Sequence, residues 1–193
     1  MARPRSFDEK QVLRAVRDHF WDAGYAATSL EDLMRVSGLG KGSLYAAFGD
    51  KHRLFLTALR AYADENHAAL CDIMDSAPRA VEALRLLLTA PVADAETARR
   101  GCMLLNTTCE LAAADPDVRA EAARTYEKAT EMIAGYVARA QREGDIPATA
   151  DPGALARELL TVRQGLVFMG RTGIDLTALE ATARSLADRL LPL

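Results

Sequence analysis

Cysteine, histidine and aromatic side chains are all scarce in this chain of 193 residues: three Cys, three His, one Trp and 6% aromatics. Cys71, Cys102 and Cys109 are odd in number and lack a CxxC spacing, which argues against a disulfide framework or a structural zinc site. The histidines stand at 19, 52 and 67, with no Ser/His/Asp cluster, glycine-rich phosphate loop or metal motif around them, so no catalysis, cofactor or metal is expected. His67 and Cys71 lie one helical turn apart, yet two candidate ligands do not make a site. No apolar run reaches the roughly 18 residues of a membrane span, and residues 1–6 carry Arg3 and Arg5 without an apolar signal segment. A cytoplasmic protein with no membrane partner is expected. Strand-like alternation is also missing, and this leaves an all-α fold.

Charge is distributed unevenly. Residues 1–60 hold ten Lys and Arg against seven Asp and Glu, while the remainder holds fourteen against twenty. A basic N-terminal unit joined to an acidic partner is suited to a polyanion at one end, with the acidic part turned away from it.

Within the basic unit, residues 28–51 read as two short helices around a glycine turn. Thr28 and Glu31 fit a capping box, Leu30, Leu33 and Met34 share a face, and Gly38 suits a left-handed helix terminus. In the following helix, over residues 41–48, Leu44 and Phe48 point inward, leaving Lys41, Gly42, Ser43, Tyr45 and Ala46 outside. These small, hydroxylated and cationic groups suit a helix laid in a DNA groove. Before this pair, residues 7–23 form a helix with Val12, Ala15, Val16 and Phe20 at helical spacing. After it, Asp50 caps a long helix over 51–74.

The segments Thr28-Ser29-Leu30-Glu31-Asp32-Leu33, Gly42-Ser43-Leu44-Tyr45-Ala46-Ala47-Phe48 and Asp50-Lys51-His52-Arg53-Leu54-Phe55 resemble the DNA-binding domain of TetR-family transcriptional repressors. The resemblance runs over residues 6–62. It implies a DNA-binding domain over 6–66, with Thr28, Ser29, Lys41, Gly42, Ser43, Tyr45, Ala46 and Lys51 at double-stranded operator DNA, and an effector-binding and dimerisation domain over 67–193. Gly40 departs from the family pattern, in which serine is common, and gives up a cap or a phosphate contact. Arg3 and Arg5 are either a DNA-touching arm or a plain tail.

The second domain reads as further helices, nine or ten in the whole chain. Residues 103–114 are apolar on nearly every side, which marks a central helix, but contain Asn106, Thr107, Thr108 and Cys109. Such polar groups line a cavity or form an internal hydrogen-bond network. Cys102, Met103, Asn106, Cys109 and Phe168 are therefore the candidate ligand-binding residues for a small hydrophobic effector. Gly101-Cys102-Met103-Leu104 also resembles a segment of electrophile-responsive members of the family. Cys102 is thus either a buried core thiol or a sensor with Arg99 and Arg100 as cationic neighbours, and thiol modification or a protein partner is the alternative means of control.

Residues 115–143 and 151–170 form two long helices, each opened by Asp-Pro, with apolar seams that alternate by four and three. Tyr126, Ile133, Leu159, Val162, Gly165, Leu166 and Met169 on these seams are the expected homodimer interface. Arg163 and Gln164 beside Gly165 are interface hydrogen bonders or ligands for an acidic effector. The expectation as a whole is a homodimeric repressor released from a pseudo-palindromic operator by a small molecule.

Overall fold

The computed structural model describes residues 7–191, so the basic arm with Arg3 and Arg5 lies outside the described residues. Those residues form ten α-helices and one 3-10 turn, without strands: α1 (Glu9–Ala23), α2 (Leu30–Ser37), α3 (Lys41–Phe48), α4 (Lys51–Asp75), α5 (Ala80–Thr89), the 3-10 turn (Ala90–Val92), α6 (Ala95–Arg100), α7 (Met103–Leu111), α8 (Pro116–Glu143), α9 (Pro152–Gly170) and α10 (Leu176–Leu190). Local chemistry sets the boundaries. Asp8, Asp50, Asp94, Asp115, Asp151 and Asp175 each accept backbone N–H groups at a helix start. Gly38 and Gly144 end α2 and α8 in the left-handed conformation.

Two hydrophobic cores follow. The first gathers Val12, Val16 and Phe20 of α1, Leu33 of α2, Leu44 and Phe48 of α3 and Leu54, Phe55, Leu56, Ala58, Leu59 and Tyr62 of α4, together with Met103, Leu104, Val118 and Ala122. The second joins Leu70 and Met74 of α4 to α5, α8, α9 and α10. Helix α4 runs unbroken through both, so the expected boundary near residue 66 falls inside one rod.

Two expectations need correction. Helix α7 is nine residues long and buries only Met103, Leu104 and Thr107, with Cys109 and Glu110 exposed; it is an edge brace, not a central helix. The seams of α8 and α9 do not wait for a second chain. Ile133, Leu159 and Leu166 are buried in the second core of the same chain, where α5 and α10 supply the facing side chains, and Tyr126 packs against both cores. An apolar stripe on a helix marks a buried face without saying which chain covers it.

Candidate nucleic-acid interface and ligand cavity

The turn between α1 and α2 determines how α3 is presented. Thr28 is 2% exposed and its hydroxyl donates to the Gly24 carbonyl at 2.6 Å. With Thr28 occupied, Ser29 becomes the N-cap. Its Oγ accepts from the Asp32 amide at 3.1 Å, and the Asp32 carboxylate accepts from the Ser29 amide at 3.0 Å. The capping box is therefore Ser29–Asp32, one residue on from Thr28–Glu31, and Thr28 is a buried brace instead of a DNA contact. Both pairs fit the same sequence pattern, and only the inward turn of Thr28 separates them. Hydrogen bonds from Arg35 and Ser29 hold the Asp32 carboxyl far below the usual aspartate range.

Leu44 and Phe48 pin α3 to the core, while Lys41, Gly42, Ser43 and Ala46 are exposed and Tyr45 is half-buried beside them. Gly40 caps α3 with no side-chain bond. Lys51 is turned inward. Its ammonium donates to the Tyr25 carbonyl at 2.7 Å and lies 4.2 Å from the Tyr25 ring centroid, clamping the α1–α2 turn onto α4.

Acids from the second half of the chain brace this unit from behind. The Glu110 carboxylate accepts from the Tyr25 and Ala26 amides, Asp115 bonds His52 at 2.8 Å, and buried Glu121 bonds Arg60 at 2.9 Å and also Arg124. Burial works to raise the Asp115 pKa, but bonds from His52 and the Val118 amide hold it below the ordinary value. The acidic half is thus not merely set apart from the basic one. It grips the basic unit.

A cavity of about 150 Å³ opens where the two cores meet. Trp21 of α1 and Tyr62, Ala63, Asn66 and Leu70 of α4 form one wall; Ala98 and Cys102 close one end, and Tyr126, Leu160, Arg163, Gln164 and Val167 of α8 and α9 form the other wall. Trp21 is fixed from two sides: the Arg100 guanidinium lies 3.9 Å from its ring centroid, and Tyr62 meets it edge-on at 4.7 Å. Arg100 in turn bonds Asp22 at 2.8 Å. Close approach of α6 to α9 seals the end, since a Cβ on Gly170 would come within 3.2 Å of Ala98.

Residues 12–58 match the family described as "Bacterial regulatory proteins, tetR family", and residues 79–186 match "Tetracyclin repressor-like, C-terminal domain". The HTH-type transcriptional regulator YezE of Bacillus subtilis is 31% identical over 188 residues, covering 93% of this chain and 94% of the relative. The chain belongs to the TetR family of transcriptional regulators. The HTH-type transcriptional repressor BdcR of Escherichia coli is likewise 31% identical, over 94% of this chain and 88% of its own length. A cysteine mutant of the TetR family regulator CifR, complexed with 26-base-pair double-strand operator DNA, superposes with a TM-score of 0.82 at 31% identity, over 99% of this chain and 100% of that one. A TetR-family regulator from Cytophaga hutchinsonii shares the fold, with a TM-score of 0.88 at 20% identity over 98% and 96% of the two chains.

For a TetR-family chain, the residues named from sequence sort unevenly. Ser29, Lys41, Gly42, Ser43, Tyr45, Ala46 and Lys51 come together around α2, α3 and the start of α4. Of the five ligand residues only Cys102 lines the cavity. Met103 is buried in the first core, Asn106 donates to the Arg100 carbonyl, Cys109 is exposed on α7, and Phe168 is 52% exposed on the outside of α9. The cation sharing the cavity with Cys102 is Arg163, whereas Arg100 is committed to α1. Trp21 and Tyr62 were missed because nothing local in the sequence joins the N-terminal helices to α9. Cys71 lies 3.3 Å from the Met132 sulfur and 3.8 Å from His67, with no third ligand beside them among the described residues.

Proposed function

We propose that this TetR-family regulator is a cytoplasmic homodimeric repressor that holds a pseudo-palindromic operator through α3 and releases it when a small molecule fills the cavity between α4 and α9. The observation carrying this reading is that the cavity wall includes Trp21 and Tyr62, side chains of the helices that also support α3. A ligand there changes the packing under the recognition helix directly. Because a ligand shifts a two-state equilibrium only by its differential affinity, a coupling of about 1–3 kcal/mol is expected.

Pairing of two chains is proposed through the outer face of α9. With Ile133, Leu159 and Leu166 used within the chain, the remaining apolar side chains are Phe168 and Met169, next to Gly165, where a Cβ would meet nothing within 4 Å. A bare glycine flanked by exposed apolar groups allows a second backbone close approach. Val162 is half-buried at the edge of this face. The paired arrangement sets two α3 helices against half-sites about 34 Å, or a multiple of that, apart.

Operator fragments selected from random DNA, then titrated with protein by fluorescence anisotropy alongside sedimentation, test both statements. Selected sites without two-fold repeats, or a Phe168→Asp variant that remains dimeric, would reject the pairing. Cavity ligands that bind without changing operator affinity would reject the coupling.

A further inference from the structure

Among the described residues, Arg163 is the only formally charged side chain lining the cavity, no aspartate or glutamate lines it, and its guanidinium has no hydrogen bond or ion pair. Every other arginine whose guanidinium is bonded in this protein has an acid or a carbonyl as its partner. Four more polar atoms of residues lining the cavity, Trp21 Nε1, Thr125 Oγ1, Tyr126 Oη and Gln164 Oε1, are buried without hydrogen-bond partners among the described residues. The rest of the lining is mostly apolar, with Leu70, Ala129, Leu160 and Val167 beside the uncharged polar side chains of Asn66 and Thr97.

We infer that the cavity takes a small organic monocarboxylate, its carboxylate paired with the Arg163 guanidinium and its apolar body laid against Trp21, Tyr62 and Leu160. This deepens, and rests on, the reading of the cavity as the effector site. A guanidinium presents a planar fork that matches a carboxylate with two parallel N–H···O bonds. An uncompensated cation in an apolar wall penalises the empty protein, and an anion of matching size removes the penalty while a neutral isostere does not. Burial lowers the Arg163 pKa, opposed by Cys102, Tyr62 and Tyr126 nearby, yet arginine keeps its proton at neutral pH. One cation suits one negative charge, and an apolar space of about 150 Å³ is enough for a benzene ring. The ligand class is thus a branched or aromatic acid of roughly benzoate size.

Trp21 is the only tryptophan in the chain, so its emission reports occupancy of this cavity directly. Full-length protein is titrated with matched pairs: benzoate and benzamide, phenylacetate and phenylacetamide, isobutyrate and isobutyramide. At least one acid is expected to bind about tenfold or more tightly than its amide, and Arg163→Gln to abolish that preference. Without ligand, Arg163→Gln is expected to melt at the same or a higher temperature, because it removes an unpaired charge. The inference is overturned if each amide binds as well as its acid, if Arg163→Gln keeps the preference, or if the variant melts lower without ligand. Operator release is measured in parallel and separates the two readings. Amides that bind equally and release DNA sink the carboxylate but keep the effector site. Acids that bind selectively and leave DNA in place keep the carboxylate and sink the coupling. Probes that never change Trp21 emission sink both.

Discussion

The two cores of the molecule are made of different side chains. Beneath α2 and α3 a cluster of aromatic rings is set among the aliphatic side chains: Phe20, Phe55 and Tyr25 meet with ring centroids 4.8–6.1 Å apart, and Phe48 and Tyr62 are buried in the same core. Among α5, α8, α9 and α10 the fully buried residues are leucine, alanine, valine, isoleucine and methionine, and the aromatic rings of Tyr126 and Tyr136 pack only at the edge. Flat rings with preferred edge and offset contacts fix the angle between short helices, as a DNA-reading unit requires. Aliphatic packing tolerates rearrangement more readily. The cavity lies at the seam, lined by Tyr62 and Leu104 from one core and Leu70 and Leu160 from the other. Where a rigid core meets an adaptable one, a ligand can change their relative placement without dismantling either.

The largest effect should come from the aromatic side. Phe55→Ala is expected to cost about 3–5 kcal/mol and to lower operator affinity per folded molecule, whereas Leu84→Ala in the aliphatic core costs about 2–5 kcal/mol and spares that affinity. Denaturant melts paired with anisotropy titrations check this, and equal loss of affinity in both variants would remove the distinction between the cores.

The brace between the two regions is the next target. Burial pushes the Glu121 pKa up, but hydrogen bonds from Arg124 and Arg60 outweigh it and hold the group below the ordinary glutamate value. A depressed carboxylate contributes stability above its unfolded pKa of about 4.3 and loses it as pH falls through the lower folded value. Glu121→Gln is expected to cost about 1 kcal/mol at neutral pH, after screening at the two exposed arginines, with the gap from wild type closing below about pH 4. Melting curves across pH 3–8 give the answer.

Lys41 and Lys51 sharpen the contrast within the DNA unit itself. Exposed Lys41 should affect only DNA, with Lys41→Ala reducing the slope of log affinity against log salt by about one unit at unchanged stability. Inward-facing Lys51 should affect folding, with Lys51→Ala costing about 0.5–1.5 kcal/mol as the Tyr25 clamp is lost. A salt slope altered by Lys51 alone would reverse the assignment. The smallest expected change is a gain. Gly40→Ser has open space for its side chain and supplies the missing cap of α3, raising stability by a few tenths of a kcal/mol in a denaturant titration.

Much of this arrangement was legible in the sequence wherever the signal was local. Gly38, Leu44, Phe48, Asp50 and the two Asp-Pro openings carry their meaning within one or two turns, and the helices form where those residues place them. Distances along the chain defeated the rest. Ile133 and Leu159 were clear as buried positions, but their covering by α5 and α10 depends on tertiary placement that periodicity does not encode. Trp21 and Arg163 stand 142 positions apart and share a cavity only because α4 brings the first core against the second. The polar run in α7 suggested a lining, yet Asn106 and Thr108 spend their side chains on carbonyls of their own neighbourhood.

Helix α4 acts as a lever arm. Its 25 residues form one stiff rod whose first turn follows directly on α3 and whose middle borders the cavity. From Asn66 back to Lys51 is a radius of about 22 Å at 1.5 Å per residue, so a tilt of about 5° about that pivot carries the far end through roughly 2 Å. Hydrogen bonds to phosphate oxygens span a window of about half an ångström. In the paired arrangement proposed above, a swing too slight to disturb either core would therefore be enough to pull the two reading heads out of step with the helical repeat of their target.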